Sequence, residues 1–168
     1  MKILCYPDPV LMQPAAEVQE IDEQLVQAAR EMLSTMYEAK GIGLAGPQVR
    51  LGRRLVVINM TGQPEDEIMV VNPVIVAHEG MVEAEEGCLS FPGVFSKISR
   101  PGRVLVVAYD LAGGERRFEA EGLAARVWQH EIDHLDGRLL VDRMGSVARL
   151  TRRRALKELQ QRYSKAAT

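Results

Sequence analysis

The stretch Gln129-His130-Glu131-Ile132-Asp133-His134 constrains the fold of this chain more than any other. It reads H-E-x-x-H within a helical pattern. Residues four apart on an α-helix project from one face about one turn apart. His130 and His134 can therefore offer two imidazole nitrogens to a single metal ion. Glu131, beside them, can reach a water on that metal but has the wrong geometry to be a third ligand. Two ligands and a general base form the layout of a metal hydrolase. A catalytic site of this kind needs a third protein ligand and one open position, so the fold must bring that ligand to the helix from elsewhere. The plain alternative is a surface helix with two histidines and a chance glutamate. The chain holds 3 histidines in all, and two of them fall at this spacing.

At 168 residues the chain fits a single domain. Aromatic content is 5% against 8 methionines, so the expected core is aliphatic and methionine-rich. No apolar run reaches the length of a membrane span. The N-terminal stretch MKILCYPDPVLMQP has neither a long apolar region nor a small-residue cleavage site. Two cysteines, Cys5 and Cys88, are too few for a disulfide framework. The expectation is a cytoplasmic protein with no membrane association, in which a cysteine is free to serve as a thiolate. The net charge of −2 conceals an asymmetry. Arg143, Arg149, Arg152, Arg153, Arg154, Lys157, Arg162 and Lys165 crowd the C-terminal end, with Glu158 the one acid among them, and the remainder of the chain is acidic. A basic end on an acidic body points to a polyanionic partner, or else to an ordinary solvated helix face.

In chain order, Tyr6-Pro7-Asp8-Pro9 is a rigid extended or turn segment. Asp22 can cap a helix over 23–39, with Leu25, Ala29, Met32 and Met36 as its buried stripe and Gly41 as its end. Gly41, Gly43 and Gly46 then allow close backbone approach to a ligand or positive φ. That stretch is neither a dinucleotide fingerprint nor a phosphate-binding loop. Leu55–Asn59 and Ile68–Ala77 read as strands, the second with a bulge or edge at Pro73. Arg103–Asp110 and Arg116–Glu121 form a hairpin around Ala112-Gly113-Gly114. The metal helix runs over 123–136 and closes at Gly137, and Ser146 can cap a last helix over 147–164. The pattern is α+β: mixed or antiparallel strands packed around a central metal-binding helix, with an N-terminal helix and a basic C-terminal helix. Residues 1–145 form the expected catalytic body, and 146–168 the basic helix of the same single domain.

His78, Cys88 and several carboxylates are candidates for the third ligand. His78 lies between a strand and a glycine, where an exposed histidine is unremarkable. Cys88 is better placed, because a tight turn at Glu86-Gly87 would leave its sulfur fixed and exposed. A thiolate also suits Fe²⁺ or Zn²⁺. Free cysteine is otherwise commonly a small buried residue.

Three stretches taken together resemble, in order and spacing, the signature motifs of bacterial peptide deformylases. They are Gly41-Ile42-Gly43-Leu44-Ala45-Gly46-Pro47-Gln48, Glu86-Gly87-Cys88-Leu89-Ser90 and Gln129–His134. The resemblance covers nearly the whole chain. It implies a metal site of Cys88, His130 and His134, with iron(II) native and zinc, nickel or cobalt able to occupy it. It implies removal of the formyl group from nascent chains that begin with formyl-methionine. Glu131 would be the base, and the Gln48 amide and the Leu89 N–H the donors to the oxyanion. Gly43 would pair its backbone with the substrate chain, and Ile42, Leu123 and Val127 would line the methionine pocket. Glu86 would orient a ligand histidine. For Leu123 and Val127 the alternative is plain core packing.

The chain departs from the family pattern at two positions. Gly46 stands where alanine is usual, which would loosen the loop carrying Gln48. Arg126 stands where an aliphatic residue is common, either lining the mouth of the pocket or facing solvent. The expected partners are formyl-methionyl nascent peptides and, through the basic helix, ribosomal RNA; the expected state is a monomer. Three rival readings remain. An H-E-x-x-H peptidase would need a downstream third ligand, for which only Glu158 is left. A structural metal site would need a fourth protein ligand, with Cys5 the spare thiol. A binding module acting through the tail alone would leave the three motifs unexplained.

Overall fold

The computed structural model of the protein describes residues 1–166, so the last two positions of the stretch expected over 146–168 lie outside the described residues. The elements in order are α1 (Glu23–Glu38), β1 (Gly43–Ala45), β2 (Leu55–Ile58), β3 (Ile68–Glu79), β4 (Val82–Gly87) and β5 (Phe95–Arg100). They continue with β6 (Arg103–Asp110), β7 (Glu115–Glu121), α2 (Leu123–Leu135), α3 (Leu140–Arg143), α4 (Ser146–Thr151) and α5 (Arg153–Ala166). A five-stranded sheet has the order β1-β2-β3-β6-β7, and β4 and β5 form a separate two-stranded sheet. Every pairing between these strands is antiparallel. The α+β class expected from the sequence is the class observed.

The five-stranded sheet lies between two helices, and β2 shows why its sequence is apolar throughout. All four residues of Leu55–Ile58 are buried. Alternate side chains of a strand point to opposite faces. Leu55 and Val57 pack with Leu25, Ala29, Met32 and Met36 of α1. Val56 and Ile58 pack with Trp128, Ile132 and Leu135 of α2. A strand covered on both faces needs an unbroken hydrophobic run. Each such side chain stabilises the fold by about 1.5–3 kcal/mol. Trp128 anchors the α2 side, with its ring 4.8 Å from that of Phe118.

Local chemistry sets the element ends. The Asp22 carboxylate accepts from the Leu25 N–H at 2.7 Å and caps α1, a contact worth about 1 kcal/mol. At the other end Gly41 is not the terminator the sequence suggests. Lys40 takes the left-handed conformation, at φ 56. Gly41 instead lies against Leu89: a Cβ there would stand 2.7 Å from Leu89 Cδ1, and that side chain would have to shift. Pro73 does mark a bulge: the β3–β6 register shifts between Val71 and Val74. The neighbouring Asn72 side chain bonds the Val18 backbone in both directions, at 2.9 and 2.8 Å.

The C-terminal end differs from the single capped helix expected. Gly145, not Ser146, is the cap of α4, and the helix breaks at Arg152 before α5. Helical spacing from Ser146 would bury a stripe of Val147, Leu150, Ala155 and Leu159, but Val147 and Leu150 are exposed. Leu159 is buried as that stripe expects and Ala155 partly so, and Leu156 joins them in a cluster with Leu4, Leu11, Phe91 and Ile98. The break rotates the apolar face of α5 relative to α4, which a single helical period through both misplaces. The short helix α3 has no counterpart among the elements expected from the sequence. No helix among the described residues is long and apolar enough to cross a membrane.

Candidate metal centre and active site

Helix α2 carries His130, Glu131 and His134, with Glu131 and His134 buried. Cys88 reaches them from the end of β4. Its Sγ stands 3.2 Å from His134 Nε2. The ligand atoms of Cys88, His130 and His134 all lie within 4.8 Å of one another. Cys88 is not held by a turn at Glu86-Gly87, as expected. Those two residues end β4 and pair with Ser96 and Phe95 of β5, so the thiol projects from a braced strand end.

Gln48 approaches from the short 3₁₀ turn Gly46–Val49 that follows β1. Its Oε1 accepts from the Ala45 N–H at 2.8 Å. That bond turns its Nε2 toward Ser90 Oγ, at 3.1 Å, and Cys88 Sγ, at 3.7 Å. The N-terminal segment braces both loops: Leu4 N–H donates to the Gln48 carbonyl at 2.7 Å and Tyr6 N–H to that of Ser90 at 2.9 Å. Gly46 does not loosen this turn. It is fully buried among backbone, and an added Cβ would stand 2.5 Å from the Arg53 carbonyl and 2.7 Å from that of Leu51. Gly43 matters for another reason. A Cβ there would overlap Glu131 Oε1, so its absence lets that carboxylate lie against the edge strand β1.

The donor set suits a divalent cation. One thiolate and two imidazoles are the ligands of zinc and of iron(II). His130 Nδ1 lies 3.3 Å from Glu86 Oε2, which leaves its Nε2 for a metal. Two buried polar atoms, Glu131 Oε2 and His134 Nδ1, have no hydrogen-bond partner among the described residues. Buried polar atoms are rarely left so. A carboxylate oxygen stranded beside three donors fits a site made for a cation and its water. Among the described residues no other group of metal-ligating side chains forms, so His78 and Cys5 lie outside it. Glu158 pairs with Arg154 on exposed α5, at 3.1 Å. The peptidase reading therefore lacks its third ligand, and the structural-metal reading its fourth.

Electrostatics separate the buried groups. Burial pushes the Glu131 carboxyl up to about 7, against the opposing pull of His130 and Arg100. Burial likewise pushes His134 well below its ordinary value, helped by the charges of His130 and Arg100. His130 moves the other way. Burial opposes its charge, but Cys88, Glu86 and Glu131 outweigh it. Burial would raise Glu86 too, yet His130 and Arg100 hold it at about 2.

Behind the histidines lies an ion network that sequence reasoning misses. Arg100 forks onto both oxygens of Glu86, at 2.7 and 3.0 Å, and reaches Asp133 Oδ2 at 2.7 Å. Arg143 clasps the same Asp133. Arg126 donates to Glu86 Oε1 as well. It is buried and lines the cleft instead of facing solvent, with two main-chain carbonyls and Glu86 satisfying its guanidinium. Asp133 lies within the H-E-x-x-H stretch itself, which is the one signal available for it. Nothing in the sequence marks Arg100 or Arg143 as partners, whereas the fully buried Ser90, which accepts from Gln48, ends the Glu86–Ser90 motif.

A cleft of about 550 Å³ is lined by Cys88, His130 and Glu131, with His134 buried behind them. Ile42, Gly43, Gln48, Leu89, Leu123 and Val127 all line it. They do so unequally: Val127 is buried, whereas Leu123 is 60% exposed and Ile42 39%. Phe95 and Arg126 also face it.

The sequence pattern of the family described as polypeptide deformylase matches residues 1–150. A peptide deformylase of Syntrophobacter fumaroxidans is 46% identical over 151 residues, which is 89% of each chain. One from Acidobacterium capsulatum is 43% identical over 160 residues, 94% of each chain. Among solved structures, a peptide deformylase from Plasmodium falciparum superposes with a TM-score of 0.95 at 38% identity, covering 99% of both chains. One from Legionella pneumophila gives 0.90 at 41% identity, covering 97% of this chain and 96% of that one.

Proposed function

This chain belongs to the polypeptide deformylase family, and on that footing we propose that Cys88, His130 and His134 hold its divalent metal and that Glu131 is its base. The family activity is hydrolysis of the formyl amide at the N-terminus of nascent polypeptides that begin with formyl-methionine, giving formate and a free α-amine. The observation that carries the assignment is the buried, unpaired Glu131 Oε2 beside three convergent donors at the floor of a cleft.

The proposed ion is iron(II), with zinc, nickel or cobalt able to replace it on the same donors. When bound, the metal supplies Lewis acidity and makes water a nucleophile at neutral pH. Glu131 would accept a proton from the attacking water at its unpaired Oε2 and later return one to the leaving amine. A carboxyl held near 7 is suited to both transfers. The Gln48 amide, already turned toward Cys88, and the Leu89 N–H donate to the oxyanion as it forms. Glu86 fixes the His130 ring. β1 is a sheet edge whose outer side meets the cleft, so Gly43 can pair with an extended substrate backbone. Val127, Ile42 and Leu123 supply the apolar wall for methionine. Metal-loaded protein kept anaerobic should release formate from formyl-Met-Ala and leave Met-Ala intact. Cleavage of Met-Ala instead would restore the peptidase reading.

We place the enzyme in the cytoplasm, where nascent chains are made. We read it as a monomer, since ligands, base and cleft come from one chain. The basic end would dock on ribosomal RNA phosphates, an attraction that weakens with salt. Truncation is a poor test of docking, because Leu156 and Leu159 belong to the core. Arg153, Arg154 and Lys157 are exposed and free of such packing. Replacing these three with glutamine should leave formyl-Met-Ala turnover unchanged and abolish ribosome co-sedimentation at low salt. Co-sedimentation equal to that of the unmodified protein would return the arginines to a solvated face.

A further inference from the structure

Arg126 has no role in the assignment above, yet it is a buried cation within the cleft wall. Its three acceptors are distributed in an informative way. One is the carboxylate of Glu86, on β4. One is the main-chain carbonyl of Val82, at the start of β4, at 2.8 Å. The third is the main-chain carbonyl of Ile98, on β5, at 3.0 Å. A single helix side chain thus grips both strands of the β4–β5 hairpin. That hairpin carries Cys88 at the end of one strand, and α2 carries His130 one turn and His134 two turns beyond Arg126. The metal site spans these two elements, so its span depends on how they are docked.

We propose that Arg126 is a positioning residue that locks the β4–β5 hairpin onto α2 and thereby fixes the distance and orientation between Cys88 and His130. The inference rests on the ligand set proposed above. Two features make arginine the fitting residue. Its planar fork supplies several donors in fixed directions, so one side chain can satisfy a carboxylate and two carbonyls together. It also holds Oε1 of the Glu86 carboxylate, whose other oxygen, Oε2, meets His130 Nδ1. An ammonium on a flexible stem can replace one of these bonds but not all three. Arg100, itself on β5, also holds Glu86 and reaches Asp133 of α2, so loss of Arg126 loosens the hairpin at its β4 end and along Ile98 without leaving that carboxylate uncompensated. Phe95, on the same hairpin, and Leu123, on α2, both line the cleft, so the lock also bears on the width of the cleft.

The test compares wild type, Arg126→Leu and Arg126→Lys. Cobalt(II) is the probe, titrated anaerobically against a competing chelator, and amide hydrogen exchange is followed in the metal-free proteins. In Arg126→Leu, cobalt affinity should fall by roughly 10–100-fold, the range for losing a group that supports a ligand. Amides of β4 and β5 should lose protection while those of the five-stranded sheet keep theirs. For loaded enzyme, KM for formyl-Met-Ala should rise by a larger factor than kcat falls. Arg126→Lys should recover part of the affinity. Cobalt affinity within twofold of wild type, with unchanged exchange in the hairpin, would overturn the proposal. So would protection lost uniformly across the whole fold, which would make Arg126 a general stabiliser. If wild-type protein takes up no cobalt, the ligand set is wrong, and the hairpin exchange still decides whether Arg126 is the lock.

Discussion

Glu131→Ala should abolish formate release by several orders of magnitude while the protein still binds one metal ion. Loss of a general base typically costs about 10²–10⁴-fold. Here the same carboxyl also returns the proton to the leaving amine, so both transfers fail together. The metal should remain, because Glu131 is not among the three convergent donors. A second readout is stability of the metal-free proteins. A carboxyl raised on folding, from 4.5 to about 7, binds its proton more tightly in the folded state. The folded state is therefore penalised progressively as pH rises from near 4.5 to about 7, and by a constant amount above that. Alanine removes the penalty, so the thermal midpoint of the variant should gain on wild type across that window. Near wild-type turnover in Glu131→Ala would remove Glu131 from the mechanism.

Cys88→Ala should lose the metal rather than the chemistry alone. Two imidazoles on one helix face hold a divalent ion weakly, and a ligand contributes more than the roughly 10–100-fold attached to a supporting partner. The variant should be purified with little metal and should not retain cobalt against a chelator. Alkylation of metal-free wild type should block uptake, whereas loaded protein should resist the reagent. The alternative role for Cys88 is that of a small half-buried side chain packed beside Phe91. Alanine fills that role nearly as well, so full metal occupancy in Cys88→Ala would establish packing and dismiss the thiolate.

Periodicity alone makes most of the helices and the two-sided strand β2 legible. The contiguous motif does the same for His130, Glu131 and His134, because a helix turns sequence spacing into a shared face. β5 is not legible, and its residues say why. Its inward positions are Ser96, Ile98 and Arg100. Two of those three are polar, so the alternation that betrays a half-buried strand is absent. The same polar inward face builds the ion network, which no local pattern can reveal: Arg100 and Asp133 are 33 positions apart. Gly46 illustrates a different blindness. A glycine in sequence suggests freedom, but two carbonyl oxygens close to its Cα leave room for nothing larger. The broken C-terminal helix misleads because exposed Val147 and Leu150 mimic a buried stripe that begins only after Arg152.

The bracing of the Gln48 and Ser90 loops by Leu4 and Tyr6 has a kinetic consequence. Gln48 meets Cys88 across 40 positions of chain, and Cys88 meets His134 across 46. Tyr6 hydroxyl meets Gln160 across 154. Contacts so distant in sequence require large loops to close before they reward the chain, which slows folding. The centre is therefore completed only after its distant segments have all been made and brought together. β1 and α1 can form early, but the pocket stays open until the segment bearing Leu156 and Leu159 has settled against Leu4 and Phe91. Competence should thus arrive late and all at once, with no partly active precursor.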